Sequence, residues 1–425
     1  MHLSGFEILA ILAIGFQSFL LFLALFEPTL RYKISRPPSA GIDTDQFDRI
    51  LATLADSSLY KHTSIEVLTN GEHFYEAELE AIRSAQRSIN LEAYIFQKGE
   101  VTRRFIEALT ERAKAGVKVN LVLDAIGSFA TWKSYFHDLR EAGGRVEWYH
   151  GFKWNELPRL NSRTHREILV IDCEVAFVGG AGFADQWLIS KRKRPRWRDT
   201  VCRIEGDAVS ALQATFIENW LEACGELLTE EEYFCFRQAP SEGVTLVIDS
   251  SLTSGQSTRA RMLFQTLIAS SRGRIDITTP YFLPDKGLRD EIIRAVERGV
   301  KVTVICPGRH NDHLLTRRAS RRLYGALLKA GAEIYEYKKS MLHAKVMVID
   351  GRWSVFGSTN LDHRSFSIND EVNVASNDVA LAARFREDFA RDLAVSRKIT
   401  YKVWKRRPLK ERFSEGLGRI LERQQ

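Results

Sequence analysis

The sequence lacks the means to build a disulfide framework. Its five cysteines, Cys173, Cys202, Cys224, Cys235 and Cys306, are scattered and odd in number, and none forms a Cys-x-x-Cys pair. That pattern argues against a disulfide scaffold and a structural zinc site, and it fits a reducing compartment. The chain also lacks any Lys or Arg before its one long apolar run, Ile8 to Phe26, which is broken only by Gln17 and Ser18. A run of that length suffices to cross the hydrocarbon core as a helix. A cleavable leader would begin with basic residues and end at a small-x-small site, and neither is clear here. The run is therefore expected to be an uncleaved membrane anchor. Arg31, Lys33 and Arg36 follow it, which by the positive-inside bias keeps the rest of the chain on the cytoplasmic side.

What is present describes a folded body. The chain has 425 residues, 44% hydrophobic and 27% charged, and a formal net charge of +7. The length suits two domains plus extensions, and the charge favours polyanionic partners, nucleic acid or an anionic lipid surface. The three prolines between Pro28 and Pro38 read as a linker. The expected division is an anchor over 1–28, a linker over 29–59, lobes over 60–245 and 246–395, and a tail over 396–425.

The two lobes repeat one another. Arg87 to Phe96 reads as a strand, followed by an amphipathic helix from Thr102 to Ala115 and the strand Gly116 to Asp124. Arg274 to Phe282, a helix from Gly287 to Arg298 and the strand Gly299 to Ile305 match them in the second half. Each half then has a helix ending at Ala-Gly and a further strand, Arg145 to Tyr149 or Glu333 to Tyr337. Alternating strands and helices of this kind predict an α/β fold, here two duplicated lobes.

The next repeated element carries chemistry. His165-Arg166-Glu167-Ile168-Leu169-Val170-Ile171-Asp172 and His343-Ala344-Lys345-Val346-Met347-Val348-Ile349-Asp350 lie 178 positions apart. Alternate residues of an extended strand share a face, so His343 and Lys345 project together, a nucleophile or acid beside a cation that can hold a phosphate oxygen. Ser358 and Asn360 repeat that spacing downstream and can donate to the same phosphate. Asp350 ends an apolar strand and reads as structural or orienting. Glu371 can hold a histidine tautomer through a hydrogen bond. Matching histidines in two repeats point to one shared site.

His-x-Lys-x4-Asp with Gly-Ser-x-Asn downstream resembles the signature of the phospholipase D superfamily. The resemblance spans about residues 60 to 395. The apolar N-terminus, Trp197 to Thr200 with Arg203 to Gly206, Thr279 to Phe282, and Gly357 to Asp362 resemble the bacterial cardiolipin synthases in particular. The resemblance implies a shared, metal-independent site without a cofactor, with His165, His343, Lys345, Asp350 and Asp172 as the catalytic set. It further implies phosphatidylglycerol as substrate, a phosphohistidine intermediate and an alcohol acceptor, with phospholipase D hydrolysis, or an impaired lipid-binding homologue, as the alternatives. No nucleic-acid partner is expected.

The first motif departs from the family pattern. Glu167 stands where Lys is expected, and Gly180 and Gly182 stand where Ser and Asn would fall. Three accounts remain open. Glu167 pairs with Arg163 or Arg166 and leaves phosphate to Lys345, Asn360 and glycine amides; or it contacts the acceptor alcohol; or the site has lost activity. Asp199 is expected to orient a first-half histidine. Lys191 to Arg194, and Arg317, Arg318, Arg321 and Arg322, are expected to gather anionic head groups. In the tail, Leu409, Phe413, Leu417, Ile420 and Leu421 share one helical face among basic residues, which reads as membrane-surface binding or as docking on the protein's own body.

Overall fold

The computed structural model describes residues 4–26, 32–151, 159, 161–190, 195–234, 237–251 and 258–408. The first sheet comprises β1 (Thr63–Thr69), β2 (Ser88–Ala93), β3 (Lys118–Asp124), β4 (Arg145–Tyr149), β5 (Ile168–Ile171), β6 (Val175–Gly179) and β7 (Thr200–Gly206). The second comprises β8 (Thr245–Ser250), β9 (Arg274–Thr278), β10 (Lys301–Pro307), β11 (Glu333–Tyr337), β12 (Val346–Ile349), β13 (Trp353–Gly357), β14 (Glu371–Ser376) and β15 (Ser396–Ile399).

The sheets share one strand order. It is β1-β7-β6-β5-β2-β3-β4 in the first lobe, and β8-β14-β13-β12-β9-β10-β11 in the second, with β15 added at the edge. β2, β3 and β4 are mutually parallel, as are β9, β10 and β11, and the remaining neighbours are antiparallel. The duplication expected from sequence is thus a duplication of topology.

The apolar runs of β5 and β12 follow from burial on both faces. Leu169 and Ile171 pack with Phe74, Phe105 and Leu109 from the helices Gly71–Ser84 and Glu100–Lys114. Ile168 and Val170 point the other way and meet Val348, Phe356, Val374 and Phe385 of the second lobe. In β12, Met347 and Ile349 enter the second lobe's own core while Val348 joins the shared one. Each such side chain contributes roughly 1.5–3 kcal/mol on full burial, so the period of two locks the lobes face to face.

Part of the stretch expected as a linker is helical. Asp45–Ala55 is capped by Thr44, whose Oγ1 accepts from the Phe47 N–H at 3.3 Å. It sets Phe47, Leu51 and Ala55 into the second lobe's core, although the first lobe follows it in sequence. The expected anchor is a helix over Gly5–Phe26, yet among the described residues no helix is long and apolar enough to cross a membrane. A spanning helix is therefore not supported, and the side chains from Leu20 to Phe26, which would complete the apolar span, lie outside the described residues. The apolar face of the tail, the run Lys191 to Arg194, and Cys235 likewise lie outside them. β15 and the short helix Tyr401–Lys405 close the described chain, with Trp404 Nε1 donating to the Arg321 carbonyl at 2.6 Å.

Candidate active site

His165 lies just before β5 and His343 just before β12, and both line one cavity of about 260 Å³ between the lobes. The chain enters both strands the same way. The His165 N–H donates to the Asp370 carbonyl at 2.9 Å, and the His343 N–H donates to the Arg198 carbonyl at 2.7 Å. Each histidine is thereby stitched to the opposite lobe by its backbone.

The side chains cross over as well. His165 Nδ1 meets Glu371 Oε2 at 3.0 Å, and His343 Nδ1 meets Asp199 Oδ2 at 2.8 Å. Each ring is held by a carboxylate of the other lobe, which fixes the Nδ1–H tautomer and leaves Nε2 for chemistry. This corrects the expectation that Asp199 serves a first-half histidine: the lobes pack inner face to inner face, so the strand end nearest each histidine belongs to its counterpart. Asp199 Oδ2 also accepts from Trp187 Nε1 at 2.9 Å, and Asp199 Oδ1 from the Thr200 N–H at 2.8 Å. Burial raises the Asp199 carboxyl, but the His343 pair and Lys345 outweigh it and the net shift is downward. The Glu371 carboxyl is likewise lowered, burial being outweighed by His165 and by the Ser358 hydroxyl.

Lys345 Nζ lies 2.8 Å from the His343 carbonyl oxygen and 3.2 Å from His343 Nε2. Burial, and then Lys345 itself, push the His343 imidazole down and favour its neutral form. Asn360 lines the cavity, and its Oδ1 is buried with no hydrogen-bond partner among the described residues. Ser358 does not behave as expected. Its hydroxyl donates to Glu371 Oε2 and accepts from the Val372 N–H at 3.0 Å. Its hydrogen is committed to the histidine's partner, so it supports Glu371 rather than contacting phosphate.

The two motif aspartates stand apart from the cavity. Asp172 accepts from the backbone N–H groups of Gln86, Arg87 and Ser88 at 2.7–2.8 Å, and Asp350 from those of Arg272, Gly273 and Arg274 at the same distances. Both adopt left-handed backbone, with φ of 53° and 54°, which aspartate tolerates in turns. They tie the end of β5 or β12 to the start of β2 or β9. Their place in the catalytic set is corrected to a structural one, as the strand-end position of Asp350 suggested.

The expected partners of Glu167 are also corrected. Arg163 donates to the carbonyls of Ser162 and His150 and faces Asp124 at 3.6 Å. Arg166 bonds the Thr215 carbonyl and Glu218 at 3.0 and 2.7 Å. Of the basic cluster expected to meet lipid, Arg317 and Arg321 face the buried Glu336 at 3.7 and 3.4 Å.

The comparisons with known proteins bear on the family and the fold. A family model described as "Cardiolipin synthase, PLD-like domain" matches residues 79–220 and 264–393. The major cardiolipin synthase of Bacillus subtilis (strain 168) is 35% identical over 360 residues, covering 84% of this chain and 74% of that protein. The chain belongs to the cardiolipin synthase-like family of phospholipase D-type proteins. A cardiolipin synthase of Oceanobacillus iheyensis is 32% identical over 371 residues, covering 86% of this chain and 76% of that one. The crystal structure of phosphatidylserine synthase from Haemophilus influenzae superposes with a TM-score of 0.68 at 14% identity, covering 90% of this chain and 100% of that one, and shows a shared fold.

As in other sheets with parallel strands, the cleft of this cardiolipin synthase-like protein gathers residues just past the carboxyl ends of parallel strands. Tyr94 follows β2 and its ring centroid lies 5.3 Å from that of His165. Tyr281 follows β9 and its hydroxyl bonds Asp312, which follows β10. Trp197 lies 5.2 Å from His343, centroid to centroid. None of these four was singled out for a role from sequence. The repeat was the signal, because it places each at a parallel-strand end or beside a paired carboxylate.

Proposed function

We propose that the protein is a phosphatidyltransferase that converts two molecules of phosphatidylglycerol into cardiolipin and glycerol. The observation that carries this reading is the pair of histidines, one from each lobe, each held by the other lobe's carboxylate and both opening on one cavity that also holds Asn360, with Lys345 against His343. The names of its curated relatives point the same way.

In this reading His343, neutral and with Nε2 turned away from its Asp199 partner, attacks phosphorus. The bond to the head-group glycerol breaks, and His165 supplies the proton to the departing oxygen. The product is a phosphatidyl group on nitrogen plus free glycerol. His165, now neutral, takes the proton from a hydroxyl of the second phosphatidylglycerol, whose oxygen attacks phosphorus as the phosphorus–nitrogen bond breaks. Cardiolipin leaves and both histidines return to their starting states. Lys345 and the Asn360 amide stabilise the charge that builds on the phosphoryl oxygens, a contribution worth several orders of magnitude in such sites. A larger cavity of about 530 Å³ shares Asp312 with the histidine cleft and offers room for a second head group. A membrane anchor with the body on the cytoplasmic side rests on sequence grounds alone, the apolar run Ile8 to Phe26 and the basic residues after it.

The test is to incubate the full chain with phosphatidylglycerol in mixed micelles without added metal and to separate the products. Cardiolipin with glycerol in equal amounts supports the transferase. Phosphatidic acid alone makes the enzyme a hydrolase, and no turnover removes the catalytic reading.

A further inference from the structure

The first motif's carboxylate occupies a prepared place. Glu167 lines the histidine cavity yet is only 7% exposed. Its Oε1 accepts from the Ile95 N–H at 3.3 Å, and its Oε2 is buried with no hydrogen-bond partner among the described residues. The arginines beside it in sequence are turned to other groups. Gly182 makes the room: a Cβ there would come within 2.9 Å of Glu167 Oε1 and 2.8 Å of the Ile95 carbonyl. Gly180 does the same for the opposite lobe, since a Cβ there would come within 2.8 Å of Lys345 Nζ and 3.0 Å of Asp199 Oδ1. The changes at 167, 180 and 182 are therefore mutually fitted. Lys345 extends across to the space over Gly180, and the Glu167 carboxyl fills the space over Gly182.

This leaves Lys345 against His343 and the Glu167 carboxyl in the cavity wall two residues on from His165. Burial pushes the Glu167 carboxyl well above the ordinary carboxylate range, with the Ile95 amide and Lys345 opposing. A neutral carboxyl offers one O–H donor and a free acceptor, which matches a hydroxyl and not a second phosphate. We propose that Glu167, seated over Gly182, is the acceptor-binding residue, and that it holds the hydroxyl adjacent to the attacking one in an alcohol with two neighbouring hydroxyls. This rests on the transferase reading and names the class of acceptor: a vicinal diol such as the glycerol end of phosphatidylglycerol. The diol keeps one hydroxyl on Glu167 and presents the other to His165.

A competition experiment tests it. The full chain receives one phosphatidylglycerol donor with 1,2-propanediol and 1-propanol at equal concentration, and the two phosphatidyl alcohols are quantified. Their ratio reports relative kcat/KM and is independent of how much enzyme is folded. The wild type is expected to favour the diol by about tenfold, the usual size of one buried hydrogen bond to a substrate group. Glu167→Leu should bring the ratio to within about twofold of unity, and Glu167→Gln should keep most of the preference. A ratio unchanged in Glu167→Leu, with both alcohols still phosphatidylated, overturns the assignment of Glu167 and leaves the transferase standing. Phosphatidic acid as the wild type's only product overturns both.

Discussion

The two lobes have the same strand order and the same histidine entry, yet they equip the cavity differently. The second lobe supplies Lys345 and Asn360, whereas the first supplies Glu167 and two glycines. What both keep is the scaffold: an aspartate gathering three backbone N–H groups, and a carboxylate reaching across to the other lobe's histidine. The difference separates two requirements that the repeat had joined. Positioning has to be met twice, because there are two rings to orient. In the proposed mechanism a cation beside the attacking ring is needed once, at Lys345, because a phosphodiester carries one negative charge. A second buried cation beside Lys345 would add desolvation cost without a partner.

The comparison is broken most sharply at the rings. Replacing either His165 or His343 by Ala should lower turnover of phosphatidylglycerol by about 10³-fold or more, since acid, base and nucleophile act as a unit. A variant within tenfold of wild type would leave the site with one working half. The crossed carboxylates come next. Asp199→Asn and Glu371→Gln should each cost about 10- to 100-fold in kcat. They should differ in pH dependence, because the Asp199 charge raises the His343 pKa against burial and Lys345. Its loss lets that pKa fall further, so the acid limb of kcat/KM in Asp199→Asn should move to lower pH. A limb that moves upward or stays in place would remove Asp199 as the partner of the attacking ring.

Smaller effects sharpen the division between scaffold and clamp. Asp350→Ala should lower stability by about 1–3 kcal/mol, measured by denaturant unfolding, because three backbone amides lose their charged acceptor. Its kcat per folded molecule should stay within about twofold, and a loss near that of the histidines would return the aspartate to the chemistry. Glu167→Gln addresses the first lobe through stability. A carboxyl whose folded pKa is raised above its usual 4.5 contributes fully only below that value, and its contribution falls as pH rises. The melting temperature of Glu167→Gln relative to wild type should therefore climb between about pH 4.5 and 8. A difference flat across that range would mean that the folded protein does not hold the proton on Glu167.

Much of this could be read from the sequence. The lobes, their α/β alternation and the paired histidines are legible because a repeat restates residue types at fixed spacing, and β4 and β11 fall where the apolar pattern puts them. The crossing of Asp199 and Glu371 is not legible, because it depends on how the inner faces meet. Distance along the chain suggested the wrong histidine for Asp199. The commitment of the Ser358 hydroxyl to Glu371 is hidden for a similar reason, since spacing shows which groups share a face but not which of them a neighbour takes first. Residues 45–55 read as linker because they follow the proline-bearing stretch that ends at Pro38, yet their apolar stripe belongs to a core that begins some two hundred positions later. Tyr94, Tyr281 and Asp312 become visible only once parallel strands give the sheets a carboxyl end.

The claim that the halves are unequal is tested most directly by locating the covalent intermediate. The full chain would be mixed with phosphatidylglycerol, quenched within the first turnover, digested and mapped by mass spectrometry. The account predicts the added phosphatidyl group on the peptide containing His343, and finding it instead on the peptide containing His165 would contradict it.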